Sequence, residues 1–159
     1  MNIIISVVNF GDITAELYPE YAPKTVESFV NLIKTTFFDG LIFHRVIPGF
    51  MIQGGGYTRD FAHKETQSIE GEFASNGHKN DLKHTRGVLS MARTMDPNSA
   101  SSQFFIMHEQ APHLDGQYAA FGKVTEGLDV VDAIANVKTD VRDCPCEPVV
   151  IRQIRVMES

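Results

Sequence analysis

Apolar residues in this chain arrive in many short bursts, and only one long stretch carries a helical rhythm. Ile3 to Val8 is a β-branched run broken only by Ser6, and Asn9-Phe10-Gly11-Asp12 supplies turn chemistry after it. Ile13 to Tyr18 then alternates Ile13, Ala15 and Leu17 with Thr14 and Glu16, which predicts a hairpin. Further bursts lie at Phe43 to Ile47, Met51 to Gly54, Val88 to Ala92, Phe104 to Met107, Ala119 to Val124 and Val149 to Val156. Against these stands one clear helix, predicted from about Pro23 to Thr36. Pro23 suits its first turn, and Val26, Phe29, Val30, Ile33 and Phe37 share one stripe. A shorter helix is predicted from Leu128 to Asn136, with Asp129 and Asp132 near its positive end. Some eight short strands with two helices point to an antiparallel sheet closed on itself, since closure removes exposed edges, with the helices plugging its ends. The polar stretch from Tyr57 to Arg86 has no sustained period and reads as loop.

The 159 residues make one domain's length, and no linker, repeat or low-complexity segment divides them, so a single domain over 1–159 is expected. A chain of this size buries roughly 70% of its unfolded surface and needs no metal or disulfide to fold. A net charge of -6 without a basic stripe argues against nucleic acid as a partner. No apolar run reaches the length of a membrane span, and Met1 to Val8 lacks the basic start and long apolar centre of a secretion signal. Cys144-Pro145-Cys146 reads as two free thiols, poorly spaced for bridging each other and too few for zinc. These features together lead to a cytoplasmic expectation.

The familiar catalytic patterns fail one by one. Gly54-Gly55-Gly56-Tyr57-Thr58-Arg59 begins like a dinucleotide fingerprint but lacks the last glycine and a following helix. His108-Glu109-Gln110-Ala111-Pro112-His113 resembles a zinc-protease helix, yet its histidines are one residue too far apart and Pro112 would break the helix. No G-x-S-x-G elbow exists. What stands out is Phe43-His44-Arg45-Val46-Ile47-Pro48-Gly49-Phe50-Met51-Ile52-Gln53-Gly54-Gly55, where one Arg and one Gln sit among apolar and aromatic residues; Ser102-Gln103-Phe104-Phe105-Ile106 repeats the mixture. A three-residue connection at Pro48 to Phe50 would set Arg45 directly opposite Gln53. A two-residue turn would put them on opposite faces, and the sequence leaves both registers open.

On the segments Phe43 to Gly55, Leu82 to Arg93, Ser102 to Ile106 and Leu114 to Val124, the chain resembles the cyclophilins, and among them the bacterial cytoplasmic form. The resemblance implies a closed eight-stranded antiparallel β-barrel capped by two α-helices. It implies peptidyl-prolyl cis-trans isomerase activity on proline-containing polypeptides, assisting protein folding, in a groove on the barrel's outer face, with no cofactor and no metal. By the same resemblance Arg45 and Gln53 are the catalytic residues, Arg45 being the arginine of the isomerisation step. Phe50, Met51, Phe105 and Leu114 wall the proline pocket. Gln103 joins Gln53 in positioning substrate and arginine, and the backbone of Ala92 and Arg93 binds the substrate chain. His113 stands where eukaryotic members commonly carry tryptophan, which implies weak affinity for cyclosporin. Tyr118 replaces a common rim histidine and Arg93 a common asparagine. Monomer is the default expectation. A binding module or a general chaperone of the same fold would have no use for Arg45, so that side chain discriminates the readings.

Overall fold

In the computed structural model, which describes residues 1–157, the bursts become eight strands and the periodic segments two helices. The strands are β1 (Asn2–Val7), β2 (Gly11–Leu17), β3 (Arg45–Ile47), β4 (Met51–Gly54), β5 (Val88–Met91), β6 (Phe104–Met107), β7 (Ala120–Glu126) and β8 (Ile151–Met157); the helices are α1 (Pro23–Lys34) and α2 (Leu128–Ala135). The expected domain of 1–159 runs two positions past the described residues. All pairings are antiparallel, in the spatial order β3-β4-β6-β5-β7-β2-β1-β8.

The expectation of a closed barrel is corrected: among the described residues no ladder joins β8 to β3, and the sheet is an open half-barrel. The chain entering β3 meets the chain entering β8 through a single bridge, Ile42 with Val150. Hydrogen bonds from Phe43 N–H to Val149 O (3.0 Å) and from Ile151 N–H to Leu41 O (2.8 Å) flank it. The physical reason lies in β3. It is three residues long, and the outward N–H of Val46 donates to Asp143 O (2.7 Å) in the loop before β8. A loop thus satisfies that edge where a strand would complete the ladder.

The concave side of the sheet holds the main core. Phe29 of α1 reaches into it and packs on Phe38, Phe104 and Phe121, with ring centroids 5.0, 5.3 and 5.0 Å away. The predicted stripe is the buried one, since α1 buries Val26, Phe29, Val30 and Ile33. The helix stops at Lys34, two residues earlier than predicted. Thr36 takes a left-handed conformation (φ 58), with Thr36 N–H bonded to Ile33 O and Phe37 N–H to Leu32 O. That is a Schellman closure built on threonine in place of the usual glycine. At its other end the cap residue, Ala22, has no side-chain acceptor. The buried Glu72 takes over, accepting from Thr25 N–H (2.6 Å) and Thr25 Oγ1–H (2.8 Å). Asn80 in turn donates to Glu72 O and Ala120 O, so the polar Tyr57–Arg86 loop is pinned by buried polar side chains. It also contains a 3₁₀ turn at Ala74–Asn76.

A second apolar cluster covers the convex side of β4, β5 and β6. It holds Met51, Val88, Phe105, Met107, Ala111, Leu114 and Ala120. Strands buried on both faces carry nearly continuous apolar runs, so β6 reads Phe-Phe-Ile-Met and β5 reads Val-Leu-Ser-Met, broken only by Ser90, whose hydroxyl pairs with His84. No helix of the described residues is long and apolar enough to cross a membrane.

Candidate active site

The convex face of β3, β4 and β6 lines up the residues that the sequence singled out. The connection between β3 and β4 has three residues, so Arg45 lies directly opposite Gln53 and Ile47 opposite Met51. Gly49, in the middle, sits at φ +81, a conformation that side chains disfavour. On the other flank of β4, Gln53 faces Phe105, and Phe105 faces Ser90 of β5. Directly opposed residues share a face. Arg45, Gln53 and Phe105 therefore form one row, with Met51 two residues along β4 on the same side.

Over this row opens a cavity of about 140 Å³, lined by Arg45, Phe50, Met51, Gln53, Ala92, Arg93, Phe105, Leu114 and Tyr118. Leu114 reaches it from a 3₁₀ turn at Pro112–Leu114, and Tyr118 stands edge-on to Phe105 at 5.8 Å. Of the expected residues, Gln103 and His113 stay outside the lining. Gln103 lies behind Gln53, whose amide Nε2–H donates to Gln103 Oε1 (3.0 Å), and it borders a polar recess with Thr94, Ser99 and Ser101. His113 is exposed beside Phe50, ring centroids 6.0 Å apart. The amide of Ala92 is committed to Gln103 O (2.9 Å), so it cannot serve an incoming chain.

The lining contains two arginines and no carboxylate. Arg45 is exposed, its Nη1 3.5 Å from Gln53 Oε1, a long and weak contact. Ion pairs among the described residues engage Lys24, His63, His78, His84, Arg86 and His108, and not Arg45. Its guanidinium lines the groove without a carboxylate partner among the described residues. Next to it, burial and then the Arg45 charge push His44 down to about 4, so His44 adds no positive charge beside the two arginines.

Sequence reasoning missed the support behind the lining. The His84 ring stacks on Phe105 (6.0 Å) and is fixed by Ser90 Oγ on one nitrogen (2.8 Å) and Asp115 Oδ1 on the other (3.1 Å). The Arg93 guanidinium lies over Phe73 and Tyr118, 4.7 Å from each ring centre, and donates to Gln117 O and Thr94 O. These partners are scattered along the chain, and no local pattern announces them.

A groove lined by Phe50, Met51, Phe105 and Leu114 with an arginine at its edge has counterparts among known proteins. The family model "Cyclophilin type peptidyl-prolyl cis-trans isomerase/CLD" matches residues 2–156. A peptidyl-prolyl cis-trans isomerase of Acinetobacter baylyi is 45% identical over 157 residues, covering 93% of this chain and 81% of that one. Peptidyl-prolyl cis-trans isomerase B of Escherichia coli is 41% identical over 162 residues, covering 94% and 96%. Among solved structures, the crystal structure of a Cryptosporidium parvum cyclophilin type peptidyl-prolyl cis-trans isomerase in the presence of the dipeptide Ala-Pro superposes with a TM-score of 0.85. It shares 30% identity, and the match covers 100% of both chains. With a family match from residue 2 to 156, the chain belongs to the cyclophilin-type peptidyl-prolyl cis-trans isomerases.

Proposed function

We propose that this isomerase turns over X-Pro bonds of polypeptide chains in the groove above Phe105, with Arg45 as the catalytic donor. The observation that carries this is the Arg45 guanidinium, without an ion pair among the described residues, at a cavity of about 140 Å³ walled by Phe50, Met51, Phe105 and Leu114. Peptide C–N bonds resist rotation because nitrogen shares its lone pair with the carbonyl, which sets a barrier of about 18–20 kcal/mol. In the twisted transition state the nitrogen recovers that pair and becomes an acceptor. A donor waiting there binds the transition state better than either planar ground state. Raising a rate of roughly 0.01 per second to about 1000 per second takes about 7 kcal/mol off the barrier.

Each neighbour has a part in this reading. Phe50, Met51, Phe105, Leu114 and Tyr118 hold the pyrrolidine ring still while the acyl side turns. Gln53, anchored by Gln103, faces the substrate backbone and keeps Arg45 in register. His113 extends the rim beyond Phe50, and a histidine there in place of a large indole weakens cyclosporin binding. The backbone of Arg93, which has no hydrogen bond among the described residues, takes the substrate chain in preference to the engaged Ala92 amide. The reaction breaks no covalent bond, so it calls for neither nucleophile nor cofactor. We further infer a single domain over 1–159, acting as a monomer in the cytoplasm on folding chains.

The test is NMR exchange on a short X-Pro peptide with this protein and with Arg45→Ala. Turnover falling about 100-fold or more, with peptide affinity changed only a few-fold, is the expected result. Binding of the peptide by the unaltered protein with its exchange rate unchanged would leave a peptide-binding module, and fast exchange equal in the two proteins would remove Arg45 from the chemistry.

A further inference from the structure

A polar chain runs from the pocket turn to α2, and the isomerisation reading makes no use of it. Its centre is His108, the residue after β6, whose side chain is 14% exposed. The N–H of Gly49 donates to His108 Nδ1 (2.8 Å). A backbone amide has only a proton to offer, so Nδ1 must carry the lone pair. The ring proton then sits on Nε2, which faces Asp132 Oδ1 at 3.0 Å. Asp132 is held from the other side by both Nη groups of Arg86 (2.8 and 2.9 Å), and Arg86 also donates to His108 O. Above all through the Arg86 hydrogen bonds, the Asp132 carboxyl is held below its ordinary range and stays a pure acceptor. Meanwhile the N–H groups of His108 and Glu109 both reach Phe50 O (2.9 and 3.3 Å). The Pro48–Phe50 turn is thereby tied at its exposed amide and at its last carbonyl, both by the same stretch of chain.

We propose that His108 is a positioning residue for the isomerisation site: its Nε2–H tautomer, selected by Asp132, makes Nδ1 the acceptor that fixes Gly49 and so presents Phe50 to the proline ring. The inference rests on the reading of Phe50 as pocket wall. With the opposite tautomer, two N–H groups would point at each other across 2.8 Å and the turn would come away. The sequence hides the device, because His108 stands there only in a failed zinc-protease pattern and Gly49 lies 59 residues away.

Two substitutions separate the ring's two nitrogens. Asparagine places its Oδ1 where Nδ1 stands, whereas the glutamine amide reaches only to the position of Nε2. His108→Asn is expected to keep the Gly49 amide slow to exchange with solvent, and KM for an X-Pro peptide within about threefold. His108→Gln is expected to free that amide and raise KM about tenfold, the size of one lost hydrogen bond, with kcat little changed. Long-range ¹H–¹⁵N NMR of the unaltered protein is expected to show His108 protonated at Nε2. A proton on Nδ1, or the same KM in both variants, overturns the proposal, and the first of these needs no variant to fold. Phe50→Ala, assayed alongside, tests the underlying reading separately. If its KM is that of the unaltered protein, the assignment of the pocket itself fails, whatever tautomer His108 carries.

Discussion

A guanidinium suits the work asked of Arg45 for reasons that charge alone does not cover. It cannot lose its proton near neutral pH and it presents donors in a rigid plane, whereas lysine is a mobile, strongly hydrated point charge. Arg45→Lys is therefore expected to lose at least about tenfold in turnover by NMR exchange, at nearly unchanged peptide affinity. Turnover equal to that of arginine would show that a positive charge suffices. Arg93, the second cation of the lining, is built differently. Its plane is stacked over Phe73 and Tyr118 and its donors are spent on Gln117 O and Thr94 O. Its side chain thereby braces Tyr118 at the rim of the cavity. Each such stacking contact is worth about 0.5–1 kcal/mol, so Arg93→Ala is expected to raise KM a few-fold through a loosened Tyr118 while leaving kcat in place. A fall in kcat as large as that of the Arg45 variants would instead make Arg93 a participant in the chemistry.

At the scale of elements, α1 shows how a weak local signal is completed from afar. Ala22 cannot cap it, and Glu72 supplies the acceptor for the N–H of Thr25 from 47 residues away, at the helix end that favours negative charge. Glu72→Ala leaves that buried donor unsatisfied and is expected to cost about 1–3 kcal/mol in urea unfolding, with Glu72→Gln costing less because an acceptor oxygen remains. Equal losses in the two variants would mean that the carboxylate charge, not the acceptor, caps the helix. The same helix marks what was legible in the sequence. Its start at Pro23 and its buried stripe follow from proline chemistry and a 3.6-residue period. Its end does not, because nothing local announces that Thr36 will adopt φ 58. The strands were legible as bursts, and Met51–Gly54 and Phe104–Met107 fall where the sequence places them. The register that brings Arg45 opposite Gln53 was not, since it depends on whether the turn has two residues or three. Full closure was the wrong expectation, because the bond from Val46 to Asp143 that occupies the edge of β3 joins segments nearly 100 residues apart.

Taken whole, the molecule is a curved sheet with apolar material on both faces, and two histidines are caught in that packing. His84 lies wholly buried under the pocket, and burial lowers its pKa against the opposing pull of Asp115. His44, next to Arg45, is lowered to about 4 by burial and by that charge. In the unfolded chain both rings take up protons near the ordinary histidine value of about 6.5. Between that pH and about 4 the unfolded state thus binds more protons than the folded one, and stability must fall as pH falls. Arg45 keeps its charge throughout, so the donor of the proposed chemical step does not titrate over the same window. The expected outcome is a melting temperature that drops steadily from pH 7 to pH 4.5, while kcat of the molecules still folded stays level. Calorimetry and peptide exchange on the same samples separate the two. A melting temperature that stays flat would show that neither histidine resists protonation in the fold. A bell-shaped kcat would place a titrating group in the reaction and remove Arg45 from its role as the sole donor.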